Sequence, residues 1–129
     1  MTAAPQGPPG SADRIDLGLS GKIVLITGGA RGVGAGIATV LKDLGAIPVI
    51  CARRPPTADD HPDFFPCDVR DEDAVTELVA KIVDKYGKLD GVVNNAGGSP
   101  FALAADASAS FTNKIIALNL VAPLIVSRA

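Results

Sequence analysis

The sequence predicts an α/β fold, a doubly wound parallel sheet with helices on both faces that is truncated after its fourth strand and the helix following it. Three observations predict this fold. Short apolar runs alternate with amphipathic stretches, a glycine-rich loop follows the first apolar run, and glycines stand where the first two amphipathic stretches end.

The first half of the chain is predicted as strand, helix and strand. Lys22–Thr27 is a short β-branched and apolar run between glycines, which predicts a buried strand. Helical spacing of apolar residues follows from about Val33 to Leu44, and Gly45 is a natural stop. The apolar positions of this helix are Ile37, Val40, Leu41 and Leu44. Ile47–Cys51 predicts the second strand, provided that Pro48 turns its missing N–H away from a partner strand.

The second half of the chain begins with a proline-rich loop, residues 53–63, and continues with a further strand and helix alternation. Phe64–Val69 predicts a short third strand and its exit. A second helix follows, with acidic residues in its first turn, one apolar stripe and Gly87 at its end. Its stripe consists of Val75, Leu78, Val79, Ile82 and Val83. Leu89–Asn94 predicts the fourth strand, and a last helix is expected from about Ala107 to the end of the chain.

Composition and charge narrow the class of protein. The chain is 47% apolar and 20% charged, which is ordinary for one globular domain, and its net charge of -2 disfavours a nucleic-acid binder. No apolar run approaches the roughly 20 residues of a membrane span, so no membrane partner is expected. Residues 1–18, rich in Pro and Gly, are predicted as a disordered tail, and residues 19–129 as the ordered part. The two cysteines lack metal or redox spacing, so we expect no metal site and a cytoplasmic location.

The glycine-rich loop TGGARGVGAG, Thr27–Gly36, lies between the first strand and the first helix. Free helix N–H groups and bare glycine backbone at such a point suit a phosphate. A P-loop would need Lys and then Ser or Thr after Gly34, where Ala35 stands, and a GxGxxG motif would need glycine at Ile37. The pattern that fits is TGxxxGxG, formed by Thr27, Gly28, Gly32 and Gly34. A glycine-rich turn without a ligand stays open as the alternative.

With three further motifs, the sequence resembles the short-chain dehydrogenase/reductase family from about Leu19 to Ala129. The motifs are CDV (Cys67–Val69) after the third strand, NNAG (Asn94–Gly97) after the fourth, and Asn119 in the next helix. The resemblance implies a Rossmann-like fold and hydride transfer between a nicotinamide cofactor and a small carbonyl or alcohol substrate. It also implies that the complete protein is a homo-oligomer.

The resemblance assigns roles to individual positions. It implies that the glycine loop holds the cofactor's phosphates, that Asp68 hydrogen-bonds the adenine amine, and that Asn94 helps tie the central strands together. The implied cofactor-binding residues are Thr27, Gly28, Arg31, Gly32, Val33, Gly34, Arg53, Asp68, Val69, Asn95, Ala96 and Gly97. Asn119 is the implied catalytic residue, holding a water in a proton relay. Capping of the following helix stays open for Asp68, a plain turn for the NAG residues, and an ordinary polar helix position for Asn119.

The choice of cofactor depends on charge after the second strand. An acidic residue there would bind the ribose 2′-OH of NAD, but Ala52 stands at that position and Arg53 follows. Arg31, in the glycine loop, can reach the same place, and guanidinium groups pair well with phosphate. The sequence therefore favours NADP over NAD, unless Arg53 and Arg54 are only solvated loop charges.

The family's serine and Tyr-x-x-x-Lys do not occur in these residues. The one tyrosine, Tyr86, has Asp90 four positions later and precedes the fourth strand. We therefore expect an N-terminal half of an oxidoreductase that is inactive alone, with an unpaired edge along the fourth strand that makes the chain prone to associate. A non-catalytic NADP-binding module, or a split-protein fragment that needs a partner chain, remains possible.

Overall fold

The computed structural model describes residues 15–129 and contains one parallel sheet flanked by helices. In chain order the elements are β1 (Ile23–Thr27), α1 (Gly32–Asp43), β2 (Ile47–Ala52), β3 (Asp63–Pro66), α2 (Glu72–Tyr86), β4 (Gly91–Val93), α3 (Ala109–Ile116), a π-helical turn (Ala117–Val121) and α4 (Ala122–Arg128). The strand order is β3-β2-β1-β4 and every pairing is parallel. The predicted Rossmann-like α/β fold is confirmed, while residues 1–14 of the predicted disordered tail lie outside the described residues.

The central strand β1 is buried along its whole length. Because side chains alternate across a strand, Leu25 faces one layer of helices and Ile26 the other. Leu25 belongs to a cluster with α2 and α4, and Ile26 to a cluster with α1. Both faces of the sheet are therefore covered, as parallel sheets require.

Pro48 occupies a position in β2 where no partner strand needs its N–H. The N–H of Ile47 donates to the Lys22 carbonyl on the β1 side, so the following residue faces the β3 side. Pairing with β3 begins only one residue later, at Val49 opposite Asp63. The missing N–H of Pro48 therefore faces away from a partner strand, as the prediction of the second strand required.

Helix α1 rests on the sheet through its smallest residues. Gly34 and Ala38, one helical turn apart, are buried, and Ile37 and Leu41 are partly buried beside the sheet. Val40, another apolar position of this helical spacing, is 57% exposed. Small residues on the inner face let the helix axis approach the sheet closely.

Helix α2 has the apolar stripe that the sequence predicts, except near its C-terminal end. Val75, Leu78 and Ile82 are buried, but Val83 is exposed and does not belong to the stripe. Gly87 ends the helix in the left-handed conformation, with φ of 79° and its N–H donating to the Val83 carbonyl.

The last strand and the C-terminal helical stretch form the other side of the molecule. β4 pairs with β1 on one edge, and within residues 15–129 no strand pairs with its other edge. Ala122 and Val126 are buried near α2. Several apolar side chains of the same stretch remain exposed: Ile116, Leu120, Val121 and Leu124. The tendency to associate stays a prediction, which light scattering during thermal unfolding would check.

One helical stretch, Ala109–Arg128, is long and apolar enough to cross a membrane by length and composition alone, with a mean hydropathy of 1.5. The expectation that no stretch approaches this length is wrong by that measure, because it considered only uninterrupted apolar runs. In the structure Lys114 and Asn119 interrupt the apolar residues, and Asn119 hydrogen-bonds the loop after β4.

Candidate cofactor site

A cavity of about 760 Å³ opens at the carboxyl edge of the sheet. All four strands are parallel, so the loops that follow them meet at this edge, where open α/β sheets bind ligands. The lining residues are Gly28, Ala30, Arg31, Cys51, Ala52, Arg53, Arg54, Pro55, Thr57, Cys67, Asp68, Val69, Asn95, Ala96, Gly97 and Leu118. Of the predicted cofactor-binding residues, only Thr27, Gly32, Val33 and Gly34 are not in this lining.

The glycine loop is fixed by contacts that exclude side chains. Gly28 has φ of 65° and donates its N–H to the Cys51 carbonyl at 2.8 Å. A Cβ at Gly34 would lie 2.6 Å from Nδ2 of Asn95 and closer still to the Gly28 carbonyl oxygen. Gly32 has φ of 59°, and nothing lies within 4 Å of where its Cβ would be. Gly28 and Gly34 thus allow close packing, while Gly32 provides a left-handed turn beside open space.

The N-terminus of α1 carries no side-chain cap. Arg31 is the N-cap residue, makes no capping hydrogen bond, and is followed by no acidic residue in the first turn. Val33, in that first turn, is 74% exposed. The free N–H groups and the positive end of the helix dipole therefore favour an anion from solution.

Thr27 and Asn95 hold the glycine loop against the segment after β4. The Thr27 hydroxyl accepts hydrogen bonds from the N–H groups of Asn95 at 3.0 Å and Ala96 at 2.9 Å. In return, Nδ2 of Asn95 donates to the carbonyls of Thr27 at 3.1 Å and Gly28 at 3.2 Å. Thr27 is 2% exposed and does not line the cavity, so its contribution to the site is to position the two loops.

The tie between the central strands comes from Asn95 and not from Asn94. The exposed Asn94 side chain donates to Oγ of Ser127 at 3.1 Å, so the role that the sequence resemblance implied for Asn94 is wrong. The reason is the alternation of side chains at the end of β4. Asn95 points back toward β1, and Asn94 points toward α4.

Asp68 lines the cavity and accepts three hydrogen bonds from Arg70. Its Oδ1 accepts from the backbone N–H and from Nε of Arg70, each at 3.0 Å, and its Oδ2 accepts from Nη2 at 2.8 Å. These hydrogen bonds from Arg70 are the main reason that the pKa of Asp68 is lowered from its ordinary value. Asp71, whose Oδ1 accepts from the N–H groups of Asp73 and Ala74, is the cap of α2. The alternative role of Asp68 as that cap is therefore excluded.

The charge around the cavity is positive. Arg31, Arg53 and Arg54 all line it, and none forms an ion pair with a carboxylate within the described part of the chain. Asp68 is the one carboxylate among the lining residues, and Arg70 neutralises it. Arg54 was not among the predicted site residues, although the rule that parallel strands end at one edge could have included it with Arg53.

The two cysteines at the floor of the cavity are poor nucleophiles. Cys51 is fully buried and Cys67 nearly so, and both are free thiols. Burial is the main cause that raises the pKa of Cys51 to about 12 and the pKa of Cys67 above its ordinary value. Both thiols therefore stay protonated near neutral pH and act as small packing residues.

Asn119 connects the loop after β4 to the π-helical turn. Its Oδ1 accepts from the N–H of Gly98 at 2.9 Å, and its Nδ2 donates to the carbonyls of Gly98 at 2.8 Å and Ile115 at 2.9 Å. A Cβ at Gly97 would lie 2.8 Å from Asn119 Oδ1, so the glycine permits this contact. π-helical turns often occur at functional sites, but the catalytic role of Asn119 stays a prediction.

Tyr86 lies away from the cavity. Its hydroxyl donates to Oδ2 of Asp63 at 2.7 Å. This contact lies at the end of α2 and the start of β3, and so at the amino ends of the strands, whereas the cavity lies at their carboxyl ends. Burial, followed by that hydrogen bond, raises its pKa above the ordinary value. The residue is thus a structural one, as the sequence indicates.

A parallel α/β sheet with an uncapped, glycine-rich β1–α1 turn and a cationic cavity at its carboxyl edge is the arrangement of the doubly wound α/β class. A family model described as short chain dehydrogenase matches residues 22–129. The chain belongs to that family, and the resemblance seen in the sequence is confirmed.

Known relatives and solved structures agree with this assignment. L-fucose dehydrogenase of Bos taurus is 42% identical over 87 residues, covering 63% of this chain and 32% of that protein. Short-chain dehydrogenase reductase 3b of Arabidopsis thaliana is 37% identical over 111 residues, covering 79% and 43%. The ligand-free aldohexose dehydrogenase of Thermoplasma acidophilum matches with a TM-score of 0.81 and 29% identity over 86% of this chain and 43% of that one. The chain thus spans less than half the length of these proteins.

Proposed function

We propose that this chain is the NADP-binding part of an oxidoreductase that interconverts a carbonyl and an alcohol on a small-molecule substrate. One observation carries the proposal. Three guanidinium groups without carboxylate partners surround a cavity beside an uncapped helix N-terminus, within the part of the chain that the structure describes. A dinucleotide with an additional phosphate has the charge that this arrangement favours.

The residues present fit that cofactor. The first N–H groups of α1, from Gly32 to Gly34, would hold the pyrophosphate, and Asp68 would accept the adenine amine. The segment Asn95–Gly97 would line the ribose near the nicotinamide, with Val69 against the adenine ring. When bound, the nicotinamide supplies or accepts the hydride, and the residues of this chain bind and orient the cofactor for that transfer.

NADP is favoured over NAD by the residues after β2. Ala52, at the end of that strand, has no carboxylate to bind a ribose 2′-OH or to repel a 2′-phosphate. Arg53 and Arg54 follow on the cavity wall, and Arg31 lines it from the glycine loop. A 2′-phosphate among these groups would gain charge-assisted hydrogen bonds that NAD does not offer.

The proposed chemistry extends beyond these residues. Asn119 occupies the family's asparagine position, but the chain contains neither the serine nor the Tyr-x-x-x-Lys that the family's hydride transfer uses. We therefore propose that the 129 residues bind the cofactor and are inactive alone, and that the complete protein is a cytoplasmic homo-oligomer. Relatives named for L-fucose and aldohexose support a hydroxyl-bearing small molecule as its substrate.

Isothermal titration of the 129-residue chain with NADP⁺ and with NAD⁺ tests the proposal. We expect NADP⁺ to bind at least about tenfold more tightly, since a hydrogen-bonded phosphate contributes roughly 1.5–3 kcal/mol. Arg53→Ala should remove most of that preference, while the matched control Arg128→Ala, an arginine on α4 outside the cavity lining, should keep it. Equal affinity for the two cofactors, or a preference for NAD⁺, would overturn the assignment to NADP.

A further inference from the structure

Arg70 pairs with Asp68 on the cavity wall, although neither the family motifs nor the lining residues include Arg70. It forms a two-pronged pair with Asp68, through Nε at 3.0 Å and Nη2 at 2.8 Å. A third hydrogen bond, from its backbone N–H at 3.0 Å, reaches the same carboxylate. The Arg70 and Asp68 side chains are 31% and 37% exposed, and Asp68 lines the cavity.

This geometry controls the direction in which Asp68 points. Two parallel hydrogen bonds to a planar guanidinium fix the plane of a carboxylate, and the backbone bond fixes its distance from the chain. A carboxylate has about four acceptor sites, and Arg70 uses three of them. One acceptor site therefore remains to accept a hydrogen bond, and its direction is determined by the other three.

The same pair also controls charge. An unpaired carboxylate on the wall of this cavity would repel a polyanionic ligand and attract the neighbouring arginines away from it. Because Arg70 neutralises Asp68, the three remaining guanidiniums of the cavity stay available for phosphate. Arg70 does this without entering the lining itself.

We propose that Arg70 is a positioning residue for base recognition, which aims the Asp68 carboxylate so that the site selects an adenine amine. The inference rests on the proposed function, because it requires a nucleotide in this cavity. Arg70 acts through Asp68 and touches neither base nor phosphate. Removing it should therefore change the choice of base more than it changes the affinity for phosphate.

The test compares two ligands on the 129-residue chain by isothermal titration. Adenosine 2′,5′-bisphosphate carries the exocyclic amine, and inosine 2′,5′-bisphosphate carries a carbonyl oxygen at the same place. We expect the unaltered chain to prefer the adenosine ligand about tenfold, as one lost charge-assisted hydrogen bond predicts. Arg70→Ala should reduce that preference to about twofold or less. Arg70→Lys, which keeps the charge without the fork, should restore less than half of it on a logarithmic scale.

A double-mutant cycle with Asp68→Asn separates aiming from general stabilisation. If Arg70 acts through Asp68, adding Arg70→Ala to Asp68→Asn causes no further loss of base preference. Circular dichroism and thermal melts identify any variant that does not fold, and Arg70→Lys then takes the place of Arg70→Ala in the cycle. An equal loss of affinity for both ligands in the folded variants would mean a purely structural role and would overturn the inference.

Failure of the inference and failure of the proposed function give different results. If the unaltered chain binds both ligands with the adenine preference, and Arg70→Ala keeps that preference, only the inference on Arg70 is overturned. If the unaltered chain binds neither ligand, the proposed nucleotide site is overturned and the inference with it.

Discussion

Helices α1 and α2 begin at the same edge of the sheet but satisfy their first N–H groups in opposite ways. At α2, Asp71 accepts from the N–H groups of Asp73 and Ala74, and two acidic residues occupy the first turn. At α1, Arg31 stands at the N-cap, no side chain caps the helix, and the first turn has no acidic residue. The start of α2 is complete in itself, whereas the start of α1 lacks an anion.

The uncapped start of α1 is locally less stable than the capped start of α2, but it leaves N–H groups free to bind an anion. A capped helix start gains about 1 kcal/mol from its own side chain, and α1 forgoes that contribution. The glycine loop before α1 is held instead by Asn95, whose backbone N–H donates to the Thr27 hydroxyl and whose Nδ2 donates to the Thr27 and Gly28 carbonyls. An uncapped start held in a fixed shape is what a phosphate site requires.

The largest expected effect comes from filling the close contact beneath α1. Gly34→Ala would place a methyl group against the Gly28 carbonyl, so we expect a loss of about 2 kcal/mol in unfolding free energy and no measurable binding of NADP⁺. Gly36→Ala is the matched control, two residues along the same helix, where nothing lies within 4 Å. It should stabilise the chain by roughly 0.5–1 kcal/mol and leave binding intact. Urea unfolding and titration measure both, and equal effects of the two variants would contradict the packing described.

The next effect tests whether the glycine loop before α1 depends on the hydrogen bonds between the Thr27 hydroxyl and the segment after β4. Thr27→Val keeps the shape of the side chain but leaves the N–H groups of Asn95 and Ala96 without their acceptor, which should cost about 2 kcal/mol. Thr27→Ser keeps the hydroxyl and should cost under about 1 kcal/mol, the value for one lost methyl group. Urea unfolding distinguishes them. If the two variants were equally stable, the hydroxyl would not be the tie.

A smaller effect is expected when the cap of α2 is removed or when a capping residue is placed at the start of α1. Asp71→Ala should destabilise the chain by about 1 kcal/mol without changing its affinity for NADP⁺. Arg31→Asp should do the reverse. It supplies a cap in a residue that already has extended backbone, stabilises the chain by about 0.5 kcal/mol, and abolishes binding. Thermal unfolding and titration follow both properties, and a loss of stability with Arg31→Asp would break the comparison.

The smallest effect is a dependence on pH at Asp68, just before α2. Hydrogen bonds from Arg70 lower the pKa of this carboxyl in the folded chain below its ordinary value of 3.8. Its contribution to stability is therefore complete above that value and is lost as the pH falls through the folded pKa. We expect Asp68→Asn to be less stable than the unaltered chain at pH 7, and the difference to shrink below about pH 4. A constant difference across that range would show that ionisation of Asp68 does not matter.

Much of this arrangement could be predicted from the sequence because it depends on local patterns. Residue patterns located the four strands and helices α1 and α2, and the parallel alternation placed Gly28, Arg53 and Asp68 at one edge. The boundaries differ by a few residues, as at the third strand, which is Asp63–Pro66 and not Phe64–Val69. The exposure of Val83 was missed because spacing alone includes it in the apolar stripe of α2, whereas it is 42% exposed.

What the sequence could not show depends on side-chain direction. Two adjacent asparagines are equivalent in a motif, and only the end of β4 determines that Asn95 faces β1 while Asn94 faces α4. The π-helical turn at Ala117–Val121 leaves no sign in residue spacing. The fork from Arg70 to Asp68 likewise requires a turn that brings residues two apart face to face.

Amide hydrogen exchange of the 129-residue chain, with and without NADP⁺, tests the central claim most directly. We expect the cofactor to slow exchange at Gly32–Gly34 in the first turn of α1 and to leave exchange at Asp73 and Ala74 in the first turn of α2 unchanged. Protection confined to the start of α2, or no change at the start of α1 under saturating cofactor, would contradict it.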